Sequence, residues 1–182
     1  MRDTDRELEG VLSTHAAALS RLAASYESRP ALREELLQDI AFALWRALPA
    51  FRRESSEKTF VMRIATNRAL SHIAARKGPD LKGTHPINSE LMGCVPFKSD
   101  PVWQVVDPGP RPEEEVASMQ GAARLQAAVR GLPLAQRQVM VLALEGLDHD
   151  EIARVLGISE GNVAVRLHRG KALLKAALGE KP

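Results

Sequence analysis

The sequence predicts an all-α protein built from two small helical domains that are joined by a linker rich in proline and glycine. Ala, Leu, Arg and Glu dominate the composition, and these residues favour helix. Apolar residues recur at helical spacing in both halves of the 182-residue chain. The stretch between the halves, residues 78–112, keeps no apolar period and holds seven of the 11 prolines and four of the 12 glycines. A stretch of this length and composition indicates an interdomain linker.

The first predicted domain, residues 1–77, contains three helices. The second helix begins at Pro30, because proline fits the first helical position, and it ends at Pro49. A polar loop follows, and the third helix begins near Thr59. The apolar residues of this third helix spread over more than half of its circumference, which predicts that it is buried between other helices.

A polar stripe runs along the third helix, where Arg63, Asn67 and Ser71 follow one another at intervals of four residues. Arg and Asn are residues that hydrogen-bond phosphates and base edges. The stripe is therefore a candidate nucleic-acid contact, with an ordinary solvated face as the alternative.

Acidic residues mark the beginning of the second helix, with Glu34 and Glu35 followed by Asp39. Acid near a helix N-terminus interacts favourably with the helix dipole. The same residues also suit contact with a basic partner protein. The sequence leaves both interpretations open.

The second predicted domain, residues 113–182, contains a helix-turn-helix between Asp150 and Lys171. Gly157 ends the first helix, because glycine takes a positive φ at the least cost. Ser159 caps the second helix, whose inner face is apolar. The outer face carries Asn162, Arg166, His168, Arg169 and Lys171. Such a helix fits the major groove of DNA, and an ordinary helical hairpin with a solvated basic face is the alternative.

Charge and cysteine content exclude some classes of protein. The net charge of +2 does not exclude DNA binding, because the location of the charge matters more than its sum. Cys94 is the only cysteine, so neither an intramolecular disulfide nor a thiol zinc cluster can form. The charged N-terminus has no apolar signal core, and no run approaches the ~20 apolar residues of a membrane span. We therefore expect a cytoplasmic protein.

Three segments, in this order, resemble the extracytoplasmic-function group of bacterial sigma factors, which keep only regions two and four. They are REELLQDIAFALWRAL at 33–48, TFVMRIATNRALSHI at 59–73, and LPLAQRQVMVLALEGLDHDEIARVLGISEGNVAVRLHRGKALL at 132–174. The resemblance covers nearly the whole chain except the linker. It implies a protein that directs core RNA polymerase to specific promoters and initiates transcription, without a cofactor, a metal ion or catalysis of its own.

The resemblance also implies roles for individual residues. Trp45 matches a core tryptophan, the loop at 51–58 matches one that captures a flipped promoter base, and Asn67 matches an asparagine near the melted strand. The contacts implied for core polymerase are Glu34, Glu35, Gln38 and Asp39. Those implied for the upstream promoter element are Asn162, Ala164, Val165, Arg166, His168, Arg169 and Lys171. The linker would thread through the polymerase channel, and an anti-sigma factor would clamp both domains.

The chain departs from the family pattern on the helix that would read DNA. Ala164 and Val165 stand where a basic residue and a serine are common. Fewer cations mean fewer phosphate contacts, so we expect the free protein to bind DNA weakly without polymerase. Val165 can instead touch a thymine methyl group.

Two other functions compete with this interpretation. A stand-alone helix-turn-helix regulator would bind palindromic sites as a dimer, and would need a sensor or dimerisation surface in the first domain. An enzyme is disfavoured, because there is no glycine-rich phosphate loop and no serine nucleophile motif. The sequence Asp148-His149-Asp150 looks like a metal site locally, but it begins a helix, where Asp is a common cap.

Overall fold

Seven α-helices make up the part of the chain that the computed structural model describes, which is residues 3–77 and 112–179, with side chains described for 5–76 and 120–179. The helices are α1 (Asp3–Tyr26), α2 (Pro30–Ala47), α3 (Glu57–Lys77), α4 (Pro112–Gly131), α5 (Leu134–Leu144), α6 (His149–Leu156) and α7 (Glu160–Leu178). The all-α prediction is confirmed. The predicted linker, including Cys94 and Trp103, lies outside the described residues apart from Pro112, the first residue of α4.

Helices α1, α2 and α3 pack against one another around a common apolar core. Pro30 occupies the first turn of α2 as predicted. Pro49 lies in a single 3₁₀ turn, Leu48–Ala50, that follows α2. The predicted burial of α3 is confirmed, because four of its apolar residues have no exposed surface. These are Val61, Met62, Ala65 and Ala69.

Helices α4 to α7 form the second half, in which α5 is the central buried helix. Val139 and Leu142 of α5 are fully buried, and α7 packs along this helix. Gly170 lies at that contact. A Cβ atom at this position would come within 2.9 Å of the Met140 Cε atom. The absence of a side chain therefore allows α7 to lie close to α5.

Trp45 departs from its expected place. The resemblance implies a core tryptophan, but the structure leaves Trp45 37% exposed on α2. Its ring stacks on Phe42 with the ring centroids 6.0 Å apart, and its indole N–H donates a hydrogen bond of 3.3 Å to Asp5. Because leucines fill the inner face of α2, the tryptophan lies at the rim of the helix bundle.

The two halves are in direct contact. Helix α1 packs against α4, and α3 packs against α6. The buried residues of both halves form one continuous apolar cluster. We call this contact the junction.

Candidate nucleic-acid interface

The helix-turn-helix is fixed by hydrogen bonds that are local in sequence. Asp148 caps α6, and it forms a capping box with Glu151: Glu151 N–H donates to Asp148 over 2.8 Å, and Asp148 N–H donates to the Glu151 carboxylate over 3.1 Å. Gly157 ends α6 with a φ of 65°. The Ser159 hydroxyl then caps α7 by accepting the Asn162 N–H over 3.3 Å. The predicted glycine stop and serine cap are confirmed.

The outer side of α7 is the exposed surface of this helix-turn-helix. We call the seven candidate DNA contacts on this side the reading face. In the structure Arg166 is half-buried and the other six residues are exposed. The six are Asn162, Ala164, Val165, His168, Arg169 and Lys171. Val165 is 49% exposed, which is unusual for a valine and leaves its methyl groups available. The inner residues Val163 and Leu167 are buried, as the helical period predicts.

Two members of the reading face bind each other. The Arg166 Nε–H donates a hydrogen bond of 2.9 Å to the Asn162 side-chain oxygen, one helical turn earlier. This bond restrains the Arg166 side chain along the helix and still leaves the terminal amino groups of its guanidinium to bind a partner. The sequence places both residues on one face but does not reveal this pairing.

The polar stripe of α3 lies on a partly exposed side of that helix. Arg63 and Ser71 are exposed, and Asn67 is half-buried between them. The Ser71 hydroxyl donates to the Asn67 backbone carbonyl over 3.0 Å, so it is directed back to its own helix. Arg63 and Asn67 are therefore the members of the stripe whose polar ends remain available for a partner.

A cavity of about 310 Å³ lies at the N-terminal end of this stripe, beside the loop at residues 51–56 that joins α2 to α3. Phe51 and Phe60 stack in its wall with their centroids 4.4 Å apart. Arginines from both halves of the chain also line the cavity. They are Arg52 and Arg63 from the first half and Arg154 from α6. Flat aromatic rings beside guanidinium groups suit a nucleobase and its phosphate.

The acidic residues of α2 form a second polar surface. Glu34, Glu35 and Gln38 are exposed, and Asp39 is half-buried. Burial raises the pKa of Asp39 above its ordinary value, a change that the positive charge of nearby Arg68 opposes. Because the helix begins at Pro30, its first turn contains no acid. The dipole effect is largely confined to the first turn, so the helix-end interpretation of these acids loses weight.

Glu27 is a buried carboxylate that sequence reasoning missed. It follows α1, and Arg29 donates three hydrogen bonds to it, from the backbone N–H, from Nε and from a terminal nitrogen, over 3.0, 3.1 and 3.1 Å. His72 Nε2 lies 3.5 Å and Arg76 Nε 3.8 Å from the same carboxylate. The hydrogen bonds from Arg29 lower the pKa of Glu27 to about 2. The cluster ties the turn between α1 and α2 to the end of α3.

The junction is held by polar contacts as well as apolar ones. Arg21 donates two hydrogen bonds, of 2.8 and 2.7 Å, to Glu145, whose side chain is only 6% exposed. Helix α4 adds two hydrogen bonds to backbone carbonyls of α1. Gln126 donates to the Arg21 carbonyl and Arg130 donates to the Ala24 carbonyl, each over 3.0 Å. These partners lie more than 100 positions apart in the chain, so no local pattern predicts them.

No cluster of three His, Cys, Asp or Glu side chains suited to a metal ion occurs within residues 3–77 and 112–179. In the Asp148-His149-Asp150 segment, Asp148 caps α6 and Asp150 pairs with Arg154. Within the same ranges, none of the helices has the length and apolar content needed to cross a membrane.

Two family models match the chain, one in each half. The model for sigma-70 region 2 matches residues 11–78, and the model for sigma-70, region 4 matches residues 122–174. Together the two matches span most of the helices described above, in the order in which the regions occur in the predicted family.

Individual proteins are similar over most of their length. The RNA polymerase sigma factor NccH of Alcaligenes xylosoxydans xylosoxydans is 27% identical over 169 residues, covering 92% of this chain and 84% of that protein. The ECF RNA polymerase sigma factor SigW of Bacillus subtilis is 29% identical over 146 residues, covering 80% and 74%. The fold resembles that of the sigma factor RpoE in complex with the anti-sigma factor NepR from Bartonella quintana, with a TM-score of 0.64, 20% identity and full coverage of both chains.

Proposed function

The chain belongs to the sigma-70 family as an extracytoplasmic-function sigma factor that directs core RNA polymerase to promoters, and from that premise we propose how its surfaces divide this work. Residues 1–77 bind core polymerase and hold the melted downstream promoter element. Residues 113–182 bind the upstream element as duplex, and residues 78–112 connect the two. The division is supported by two surfaces of different character: the exposed, partly basic face of α7 in the second half, and the polar stripe of α3 with its aromatic cavity in the first half.

The reading face of α7 binds the upstream element in the major groove. Its basic residues, Arg166, Arg169 and Lys171, supply phosphate or guanine contacts, and Asn162 suits adenine. Val165 supplies an apolar contact for a thymine methyl group. With only these cations on the face, affinity for duplex is low until polymerase adds its own contacts.

We expect Arg169→Ala to weaken binding of the reconstituted holoenzyme to a promoter duplex about tenfold, as loss of one well-placed arginine contact does. Arg169 is exposed on α7. Binding titrations at several salt concentrations separate its two possible targets. If the slope of the logarithm of the binding constant against the logarithm of the salt concentration becomes shallower by about one unit, Arg169 contacts a phosphate. An unchanged slope with relaxed sequence preference indicates that it contacts a base. Arg124→Ala, an exposed arginine of α4, is the matched control, and equal effects of the two variants would contradict the assignment.

The polar stripe and the neighbouring cavity capture unstacked bases of the melted strand. Asn67 and Arg63 are available on α3, and the Phe51–Phe60 stack with its arginines lies at one end of the stripe. Unstacking a base costs a few kcal/mol per step, so a protein that holds the extruded base lowers the free energy of the open complex. Core polymerase carries out the chemistry of RNA synthesis.

Asn67→Ala is expected to lower the rate of run-off transcription by core polymerase about tenfold, since about 1.4 kcal/mol of hydrogen bonding to the open strand is lost. A template that is already mismatched across the downstream element needs less melting, so most of the loss should disappear on it. Ser20→Ala, an exposed polar residue of α1, is the control. An equal loss of transcription on matched and mismatched templates would show that Asn67 does not act by holding the melted strand.

The acidic surface of α2 binds core polymerase; we call Glu34, Glu35, Gln38 and Asp39 the polymerase face. It is supported by the family resemblance, by the exposure of three of its four members, and by the position of its acids beyond the first turn of α2. We also propose an anti-sigma factor as a partner, because the resemblance implies one and because RpoE, which shares the fold, is described in complex with the anti-sigma factor NepR. Binding to polymerase places the protein in the cytoplasm.

A stand-alone regulator is the disfavoured alternative. It predicts duplex binding by the free protein and no association with core enzyme. Run-off transcription over a library of genomic fragments separates the two functions. Specific transcripts that require both core polymerase and this protein support the sigma function, and these transcripts also identify the promoter.

A further inference from the structure

Glu54 lies in the wall of the cavity and takes no part in the contacts described so far. It belongs to the loop that joins α2 to α3, and its side chain is exposed. Among the described residues that line the cavity, Glu54 is the only one with a carboxylate. The other charged groups of the wall are guanidinium groups, which only donate hydrogen bonds. The cavity therefore offers a ligand several donors and one charged acceptor.

The carboxylate of Glu54 is not used by the protein itself, whereas the hydroxyl groups beside it are. The Ser55 hydroxyl donates to the Ser56 carbonyl over 3.4 Å, and the Thr59 hydroxyl donates to Glu151 of α6 over 2.7 Å. Over residues 5–76 and 120–179, no hydrogen bond or ion pair engages the Glu54 carboxylate. This carboxylate is therefore the acceptor that a ligand in the cavity would meet.

The two arginines of the first half are available in the same way. Arg52 and Arg63 are exposed, and within the described residues neither takes part in a hydrogen bond or an ion pair. Arg154 differs, because its guanidinium group binds Asp150 of its own helix. A ligand in the cavity thus meets the unused donors of Arg52 and Arg63 together with the unused acceptor of Glu54.

The backbone between Arg52 and Glu54 has an unusual conformation. Arg53 has a φ of 57°, and in the described part of the chain it is the only residue other than glycine with a positive φ. Such a conformation persists where the surrounding structure fixes it, and it is common at ligand sites. The Arg53 side chain itself is exposed and does not line the cavity. We infer that this turn of the backbone fixes the positions of its two neighbours, Arg52 and Glu54, on the wall.

The four bases differ in how well they match these groups. A base that leaves the stack exposes its Watson–Crick edge. Guanine alone carries two adjacent N–H donors on that edge, N1–H and the N2 amine, and a carboxylate can accept both. Its O6 and N7 atoms form a pair of acceptors that suits one arginine. Adenine and cytosine offer a carboxylate one amine flanked by acceptors, and thymine offers one N–H between two carbonyl groups.

We propose that Glu54 selects guanine as the base that the cavity takes from the melted strand. This inference rests on the strand-capture function proposed above, and it adds the identity of the base and the residue that determines it. Phe51 and Phe60 supply a stacking surface, which accepts any base. Glu54 binds N1–H and the N2 amine, and an arginine of the first half binds O6 and N7. Such paired hydrogen bonds are enough for about tenfold discrimination against the other bases.

The test measures binding of the reconstituted holoenzyme to a promoter found by run-off transcription, with the downstream element left single-stranded. The template strand is omitted opposite this element, so neither melting nor base pairing contributes to the affinity. Each position of the element carries each of the four bases in turn, and fluorescence anisotropy gives the dissociation constant. For the wild-type protein we expect one position at which guanine binds about tenfold more tightly than the other bases.

Two variants of Glu54 are compared with wild type at that position. Glutamine presents one acceptor and one donor, which match the N6 amine and N1 of adenine, so Glu54→Gln should shift the preference from guanine to adenine. Glu54→Ala should bind the four bases about equally. Glu9→Gln, which makes the same change at an exposed position of α1, is the control and should keep the preference for guanine. A gain of adenine binding cannot arise from misfolding.

Inosine at the same position tests the contact between Glu54 and the N2 amine directly, because it is guanosine without that amine. It should weaken binding about fivefold for wild type and leave the affinity of Glu54→Ala unchanged. An equal effect of inosine on both proteins would overturn the proposed contact.

The proposal is also overturned if no position shows a guanine preference that depends on Glu54, whichever base is then preferred. In that case strand capture still stands as long as Asn67→Ala shows its defect in transcription. If the wild-type protein shows no base preference at any position and Asn67→Ala transcribes normally, strand capture itself fails, and the choice of guanine fails with it.

Discussion

Reversing two exposed acids of the polymerase face together, with Glu34→Lys and Glu35→Lys, is expected to weaken binding to core RNA polymerase about 100-fold. Two attractive charge contacts at a protein interface become repulsive, and about 2.7 kcal/mol is enough for this change. Both side chains are exposed on α2 and neither contributes to the apolar core. The fold should therefore be unaffected. The affinity is measured by competition with a labelled sigma factor for core enzyme at two salt concentrations.

The control is Glu7→Lys with Glu9→Lys, which makes the same charge change at two exposed positions of α1. The effect of the α2 pair should shrink as salt rises, because contacts between exposed charges are screened. An equal loss of affinity for the α1 pair would show that binding to core polymerase depends on the net charge of the protein and not on the position of the acids on α2. If the variant of the α2 pair binds core polymerase with wild-type affinity, Glu34 and Glu35 do not belong to the polymerase face.

Glu27→Gln is expected to lower the free energy of unfolding by about 2 kcal/mol at pH 7, because a buried carboxylate loses charge-assisted hydrogen bonds. The pKa of Glu27 is lowered from 4.5 to about 2 in the folded protein. A lowered pKa means that its contribution is fully present above pH 4.5 and is lost as the pH falls towards 2. The difference between wild type and variant should therefore be constant near neutrality and narrow between about pH 5 and pH 3.

Urea unfolding followed by circular dichroism at several pH values measures this difference. Glu9→Gln, an exposed carboxylate of α1, serves as the control and should leave the urea midpoint nearly unchanged at every pH. If the free energy of unfolding of Glu27→Gln stays below that of wild type by the same amount down to pH 3, the shape of the Glu27 side chain, and not its charge, accounts for the stabilisation. The result matters for function because Glu27 anchors the end of α3, the helix that carries the polar stripe.

The helix-turn-helix was predictable in detail because the interactions that define it are local. Gly157 requires only its own backbone conformation, and Ser159 caps a backbone N–H three residues away. Helical spacing also predicted which side of α7 and which side of α3 would be buried. These predictions depend on the periodicity of a helix and on caps within one turn, and both can be read from consecutive residues.

Features that depend on packing between helices were harder to predict from the sequence. Trp45 was expected in the core and lies at the surface, because a helical period does not decide how far an edge residue lies from the neighbouring helix. Glu27 was missed because His72 and Arg76 reach it from the far end of α3. The pairing of Asn162 with Arg166 follows from side-chain rotamers, which the sequence does not fix.

By itself, the sequence determined the helices, the caps, the reading face, the polar stripe and the family. The tertiary structure alone decided that the two halves close on each other, that Glu151 fastens α6 to α3, and that Arg154 joins the wall of the cavity. The physical reason is distance along the chain. Arg21 and Glu145 are separated by 124 positions, and their pairing depends on how two independently patterned helical units are oriented. No periodicity within either unit specifies that orientation.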